Sequence, residues 1–242
     1  MNQSFAEVVQ PYSAVFFDAY GVLKQSTGVL EGVHDALAWL VRSGKDVYVI
    51  TNDASKSPAA MADALAHPTH GKLIPESKFI SSGLLAKDFL RNKVRAGKVA
   101  YLGKPAAAFY IEAAGLEAIP VSKCRVEDDP KALVLLDDEG FDWFSDLNRS
   151  INLLRRVNIP AIVANADTAY PVDGVNIGVA VGSLATLIEN IVGKTFIRFG
   201  KPDTMMYSHA FACAHANNPQ LTKSDCLMVG DTLHTDILGA NT

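Results

Sequence analysis

Ala14-Val15-Phe16-Phe17-Asp18-Ala19-Tyr20-Gly21-Val22-Leu23 runs through four apolar residues, turns acidic at Asp18 and reaches a glycine three positions later. An unbroken apolar run of that length predicts a strand covered on both faces, and the acid and glycine after it predict a turn at its carboxyl end. Similar runs recur at residues 47–50, 79–80, 99–102, 132–136, 161–164, 196–199 and 226–229, while 32–42 and 58–66 space their apolar residues as one face of a helix. Short buried strands alternating with amphipathic helices predict an α/β protein with a parallel, Rossmann-like sheet.

Composition bounds the function. Of 242 residues, 49% are hydrophobic and 20% charged, too apolar for a disordered chain and sufficient for a full core. Lys and Arg number 22 against 26 Asp and Glu, a net charge of −4, so no basic footprint for nucleic acid is expected. No apolar stretch is long enough to cross a bilayer, and the first residues lack the basic start of a signal peptide. Cys124, Cys213 and Cys226 are odd in number and far apart, which predicts three reduced thiols in a cytoplasmic protein.

In parallel sheets, ligands sit beyond the carboxyl ends of the strands. The residues there are Asp18, Thr51-Asn52, Gly200-Lys201-Pro202 and Gly230-Asp231, so two carboxylates, a hydroxyl and a cation are expected to converge from four strand ends. Lys201 follows Thr51 by 150 positions, far more than one crossover needs. An inserted domain is therefore expected at residues 83–183, within a core made of residues 1–82 and 184–242.

Taken in order, these motifs resemble those of the haloacid dehalogenase superfamily: residues 17–23 its nucleophile motif, 50–52 its second, 200–202 its third, and Gly230-Asp231-Thr232-Leu233-His234-Thr235-Asp236 its fourth. The long insertion between the second and third motifs, with Thr51-Asn52-Asp53-Ala54-Ser55-Lys56-Ser57 and Ala164-Asn165-Ala166-Asp167, is similar to class IIA, the NagD-like and p-nitrophenylphosphatase-like members. The resemblance implies a Rossmann-like core with an inserted α+β cap. It implies an Mg²⁺-dependent phosphatase acting on a small phosphorylated metabolite, such as a sugar phosphate or nucleotide, with no nucleic-acid or membrane partner; self-association stays open. Asp18 is implied as the nucleophile that forms an aspartyl-phosphate, with Lys201 neutralising charge on it and on the transferring group. Thr51 and Asn52 are implied to bind the phosphoryl group, and Asp18, Asp231 and the main-chain carbonyl of Tyr20 to bind Mg²⁺. Asp236 is implied to orient metal-bound water or Lys201 from behind. Asn165 and Asp167 either face substrate or form a structural turn. The family pattern also implies a further core strand past a helix that opens at Thr235.

Tyr20 departs from that pattern. Two positions after the nucleophile, the family's phosphatases carry an Asp that protonates the leaving group and then activates water. A phenol, which titrates at about 10 in water, donates a proton but is a poor base. Asp-x-Tyr-Gly is also the pattern of 2-haloacid dehalogenases, in which the departing halide needs no proton. Those enzymes place their cap between the first and second motifs, which are only 33 residues apart here, and they lack the Gly-Asp retained at 230 and 231. Phosphatase chemistry therefore ranks first, phospho-ligand binding with little turnover second, and dehalogenation third. His67-Pro68-Thr69-His70 reads as a polar loop, Asp53 as a first-turn acid, His234 as a solvated or hydrogen-bonded residue, and Trp39 and Trp143 as packing residues.

Overall fold

The structure is a computed structural model that describes residues 4–172 and 175–241. Its strands run in the order β1 (Ala14–Phe17), β2 (Lys24–Gln25), β3 (Gly28–Val29), β4 (Asp46–Thr51), β5 (Phe79–Ser81), β6 (Lys98–Leu102) and β7 (Glu117–Pro120). There follow β8 (Ala132–Leu135), β9 (Ala161–Val163), β10 (Ala169–Pro171), β11 (Ile177–Val179), β12 (Ile197–Arg198) and β13 (Cys226–Val229). The chain divides into two compact units, Met1–Thr51 with Pro58–Ile80 and Lys201–Thr242, and Asn52–Ser57 with Ser81–Gly200.

The first unit is a Rossmann-like sheet of order β13-β1-β4-β5, in which β1 pairs in parallel with both β4 and β13. All four residues of β1 are buried, because helices lie on both faces of the sheet. Val15, Phe17, Val47 and Val49 pack with Leu37 and Leu40 of helix Val33–Arg42 and with Met61 and Ala62 of helix Pro58–Ala64. Leu37 and Leu40 lie three apart on one helix face, and each buried leucine contributes about 1.5–3 kcal/mol. Against the other face lies helix Thr204–Asn217, which buries Met206, Ala210 and Ala214 at a spacing of four. Phe17 stands opposite both Val49 and Val229, so Asp18, Thr51 and Gly230-Asp231 leave the sheet at the same end.

The second unit holds a five-stranded parallel sheet of order β12-β9-β8-β6-β7 and a separate antiparallel pair, β10 and β11. Its core joins Leu133, Leu135, Ala161 and Val163 to Ile151 and Leu154 of helix Trp143–Arg156 and to Leu184, Ala185 and Ile188 of helix Val181–Val192. This packing corrects the expected boundary: residues 184–200 belong to the second unit, because their helix joins that core and Ile197-Arg198 pair with Ile162-Val163. Residues 52–57 also go with the second unit. Among the described residues no helix is long and apolar enough to cross a membrane.

Candidate active site

At the carboxyl end of β1, the Asp18 N–H donates to the Val229 carbonyl at 2.9 Å, which continues the ladder one residue beyond the strand and fixes where the carboxylate begins. Its Oδ1 accepts from the Ala19 N–H at 2.7 Å and lies 2.6 Å from Lys201 Nζ. No hydrogen bond engages Oδ2 among the described residues. Burial pushes the Asp18 carboxyl up to about 6 even though Lys201 pulls the other way. Lys201 is only 3% exposed, and its ammonium also donates to Asp236 Oδ1 at 2.6 Å. Burial disfavours that charge, but the carboxylates of Asp18 and Asp236 outweigh it and hold the ammonium above its ordinary range.

Asp236 is fully buried, and its second oxygen accepts from the Thr232 N–H at 3.1 Å. Asp231 is exposed, with Oδ1 accepting from the Thr232 hydroxyl at 3.0 Å. Two glycines permit this crowding. Gly21 has φ +91°, and a Cβ there would collide with Asp231 Oδ2; a Cβ on Gly230 would collide with Asp236. Oxygens of Asp18, Asp231 and Asp236 all come within 4.8 Å of one another. Three carboxylates so close fit a hard divalent cation in donor chemistry. Since both oxygens of Asp236 are already engaged, Asp18 and Asp231 are the side chains with capacity to bind such an ion directly.

The first unit thus brings together Asp18, Lys201, Asp231 and Asp236, with buried Thr51 closing β4 at the same sheet end and half-buried Tyr20 in the turn after β1. That turn is closed by the Gly21 N–H donating to the Lys24 carbonyl at 2.8 Å. One expectation is corrected: Lys201 does not follow a strand of this sheet, because the apolar run before it forms β12 of the other. Asn52, Asn165 and Asp167 assemble in the second unit. There the Asn52 amide donates to Asp167 Oδ1 at 2.8 Å, and Asn165 Oδ1 accepts from the Asp167 N–H at 2.9 Å. Asp53 is in no helix; its carboxylate accepts from the Ser55 N–H and hydroxyl at 2.9 and 2.6 Å. Trp143 is exposed rather than packed inside, its indole N–H donating to the Asp138 carbonyl.

Sequence reading missed Tyr207, whose hydroxyl donates to the Thr235 carbonyl at 2.7 Å and so braces the turn that carries Asp236. Burial raises its phenol well above the usual range. Helix periodicity alone could have nominated it only as a packing residue.

A buried carboxylate–ammonium–carboxylate cluster thus stands at the carboxyl end of a Rossmann-like sheet whose chain is interrupted by a second unit. Residues 15–117 match the family model described as haloacid dehalogenase-like hydrolase, and residues 198–242 match a HAD-hydrolase-like model. A possible sugar phosphatase of the HAD superfamily from Cytophaga hutchinsonii superposes with a TM-score of 0.91 at 46% identity, over 100% of this chain and 85% of that one. A glycerol phosphate phosphatase from Mycobacterium tuberculosis, solved with magnesium, superposes with a TM-score of 0.77 at 25% identity, over 97% of this chain and 66% of that one. The chicken glycerol-3-phosphate phosphatase is 28% identical, over 97% of this chain and 78% of its own length. The chain belongs to the haloacid dehalogenase superfamily, in its NagD-like and p-nitrophenylphosphatase-like class IIA, and is a hydrolase of the phosphatase kind.

Proposed function

We propose that the chain is an Mg²⁺-dependent phosphatase that cleaves a small phosphate monoester through an aspartyl-phosphate on Asp18. The observation that carries this reading is the asymmetry of the Asp18 carboxylate. Oδ1 is fixed by the Ala19 N–H and Lys201, while Oδ2 has no hydrogen-bond partner among the described residues and lies on a sheet end shared with Asp231. Oδ2 attacks phosphorus, the ester P–O bond breaks, and the leaving oxygen takes a proton. Water then attacks the aspartyl-phosphate at phosphorus, which returns the carboxylate and releases phosphate. Lys201 offsets the negative charge that gathers on nucleophile and phosphoryl oxygens, and Thr51 and Asn52 bind those oxygens. Asp18, Asp231 and the Tyr20 main-chain carbonyl would hold Mg²⁺, with Asp236 orienting Lys201. A bound Mg²⁺ supplies the positive charge that lets an anionic carboxylate approach an anionic ester.

The phosphatases named above support this reading, one of them solved with magnesium and also with calcium. Retention of Asp231 beside Asp18 favours it over dehalogenation. Tyr20 favours a second reading, phospho-ligand binding with little turnover. A cytoplasmic setting is supported by three cysteines that are all free.

Two measurements test the proposal. Release of nitrophenol from p-nitrophenyl phosphate is expected with Mg²⁺ and not after chelation, and Asp231→Asn is expected to weaken Mg²⁺ binding by about tenfold or more in calorimetry. Identical Mg²⁺ affinity in parent and variant would falsify the ligand assignment. Asn165→Ala and Asp167→Ala are each expected to change which esters are accepted while leaving Mg²⁺ affinity within about twofold. An unchanged profile across a panel of sugar phosphates and nucleotides removes both residues from substrate recognition.

A further inference from the structure

Thr232 bonds both acids of the loop after β13, and it uses different groups for each. Its N–H donates to Asp236 Oδ2 at 3.1 Å and its carbonyl accepts from the Asp236 N–H at 2.9 Å. Main-chain atoms of Thr232 therefore suffice to hold the acid whose other oxygen accepts from Lys201. The hydroxyl is left for Asp231, where it donates to Oδ1 at 3.0 Å. Among the described residues no other hydrogen bond reaches that carboxylate.

The two oxygens of Asp231 are thereby made unequal. Oδ1 is tied to Thr232. Oδ2 is the one closer to the space that a Cβ on Gly21 would fill, so it faces the turn after β1. The same turn carries the Tyr20 carbonyl, proposed above to hold Mg²⁺ together with Asp18 and Asp231. We propose that Thr232 is a positioning residue whose hydroxyl makes Asp231 a one-oxygen ligand through Oδ2, and that it thereby sets the preference of the site for Mg²⁺ over Ca²⁺. The proposal rests on the metal assignment made above and names one residue that tunes it.

Mg²⁺ and Ca²⁺ ask different things of a carboxylate. Mg²⁺ is small and demands near-octahedral geometry, and the narrow bite of a carboxylate offering both oxygens does not span octahedral positions. Ca²⁺ takes more ligands at longer range in flexible geometry, and a carboxylate gripping it with both oxygens is common. A hydroxyl donating to Oδ1 opposes rotation of the group into that two-oxygen grip. Groups that bond a ligand rather than the metal orient it and adjust its affinity in this way. Without the hydroxyl, Oδ1 is released, which costs Mg²⁺ an aimed ligand and offers Ca²⁺ a second oxygen.

Valine at position 232 keeps the volume, the branched Cβ and both main-chain bonds to Asp236, and removes only the hydroxyl. Calorimetric titration of the metal-free chain with Mg²⁺ and, separately, with Ca²⁺ tests the proposal in the parent, Thr232→Val and Thr232→Ser. Thr232→Val is expected to lower Mg²⁺ affinity by about tenfold and to leave Ca²⁺ affinity within about twofold, so that their ratio falls about tenfold. Thr232→Ser, which keeps a hydroxyl, is expected to hold the parental ratio within about twofold. An equal loss for both ions in Thr232→Val would make the threonine a general support of the loop and overturn the proposal. An unchanged ratio overturns it too, as does a serine variant that behaves like the valine one. Asp231→Asn tells this failure from failure of the metal assignment. Equal Mg²⁺ affinity in Asp231→Asn and the parent overturns the assignment and the proposal together, whereas a loss there beside an unchanged ratio in Thr232→Val overturns the proposal alone.

Discussion

Lys201→Met is expected to lower kcat/KM for p-nitrophenyl phosphate by about 10²- to 10³-fold and to destabilise the fold by about 3–5 kcal/mol. Both effects have one origin. The ammonium is 3% exposed and lies 2.6 Å from an oxygen of Asp18 and 2.6 Å from an oxygen of Asp236. Methionine fills most of the volume but leaves two buried carboxylates facing each other without a counter-charge. During attack, more negative charge accumulates beside Asp18, and the ammonium that would offset it is gone. A double variant, Lys201→Met with Asp236→Asn, distinguishes the two effects, because neutralising Asp236 relieves the repulsion without restoring the cation. Its melting temperature is expected to recover partly while its activity stays low. Lys201→Arg is expected to fall short as well, since a planar fork does not fit a fully enclosed point-charge site. If Lys201→Met retained parental kcat/KM, the lysine would be a structural ion-pair partner and nothing more.

The two strand ends of the first sheet that carry Asp18 and Asp231 were legible because the strands before them are unbroken apolar runs, and an apolar run with a polar stop marks a strand end locally. Phe17 and Val229 fall in register, so the two carboxylates meet as their positions suggest. The strand before Lys201 was read as a strand but placed in the wrong sheet. Local sequence specifies that residues 196–199 are extended; whether they pair with β4 or β9 is settled by tertiary packing against Ile162 and Val163. β7 went unread because it is an edge strand with Glu117 at one end, Pro120 at the other and no fully buried residue, so it lacks the apolar run that marked its neighbours. Asp53 was read as a first-turn acid, on the expectation that a helix opens directly after β4. The helix begins instead at Pro58, whose ring suits a first turn, and the residues before it form a hydrogen-bonded loop.

Tyr20→Asp is expected to raise kcat/KM for an alkyl ester such as glycerol 3-phosphate by about 10²- to 10⁴-fold, with a much smaller change in kcat/KM for p-nitrophenyl phosphate. An alkoxide leaves poorly unless it is protonated in the transition state, whereas a nitrophenolate leaves with little help. Tyr20 lies in the turn after β1, two residues beyond Asp18, where a carboxylic acid would be better matched to giving a proton and taking one back. The second half-reaction adds to the expected defect, because hydrolysis of the aspartyl-phosphate needs a base to activate water. The parent should therefore show a rapid release of nitrophenol equivalent to one site, followed by slow turnover, and Tyr20→Asp should remove the burst by accelerating the second step. Gly21 constrains the geometry of the comparison: its φ of +91° and its contact with Asp231 hold the turn, so a change at position 20 alters the side chain and leaves the main-chain carbonyl in place. Mg²⁺ affinity is accordingly expected to stay within about tenfold, which separates a catalytic effect from a metal-binding one. Equal kcat/KM on alkyl and aryl esters in the parent, with no gain in the variant, would show that another residue supplies the acid.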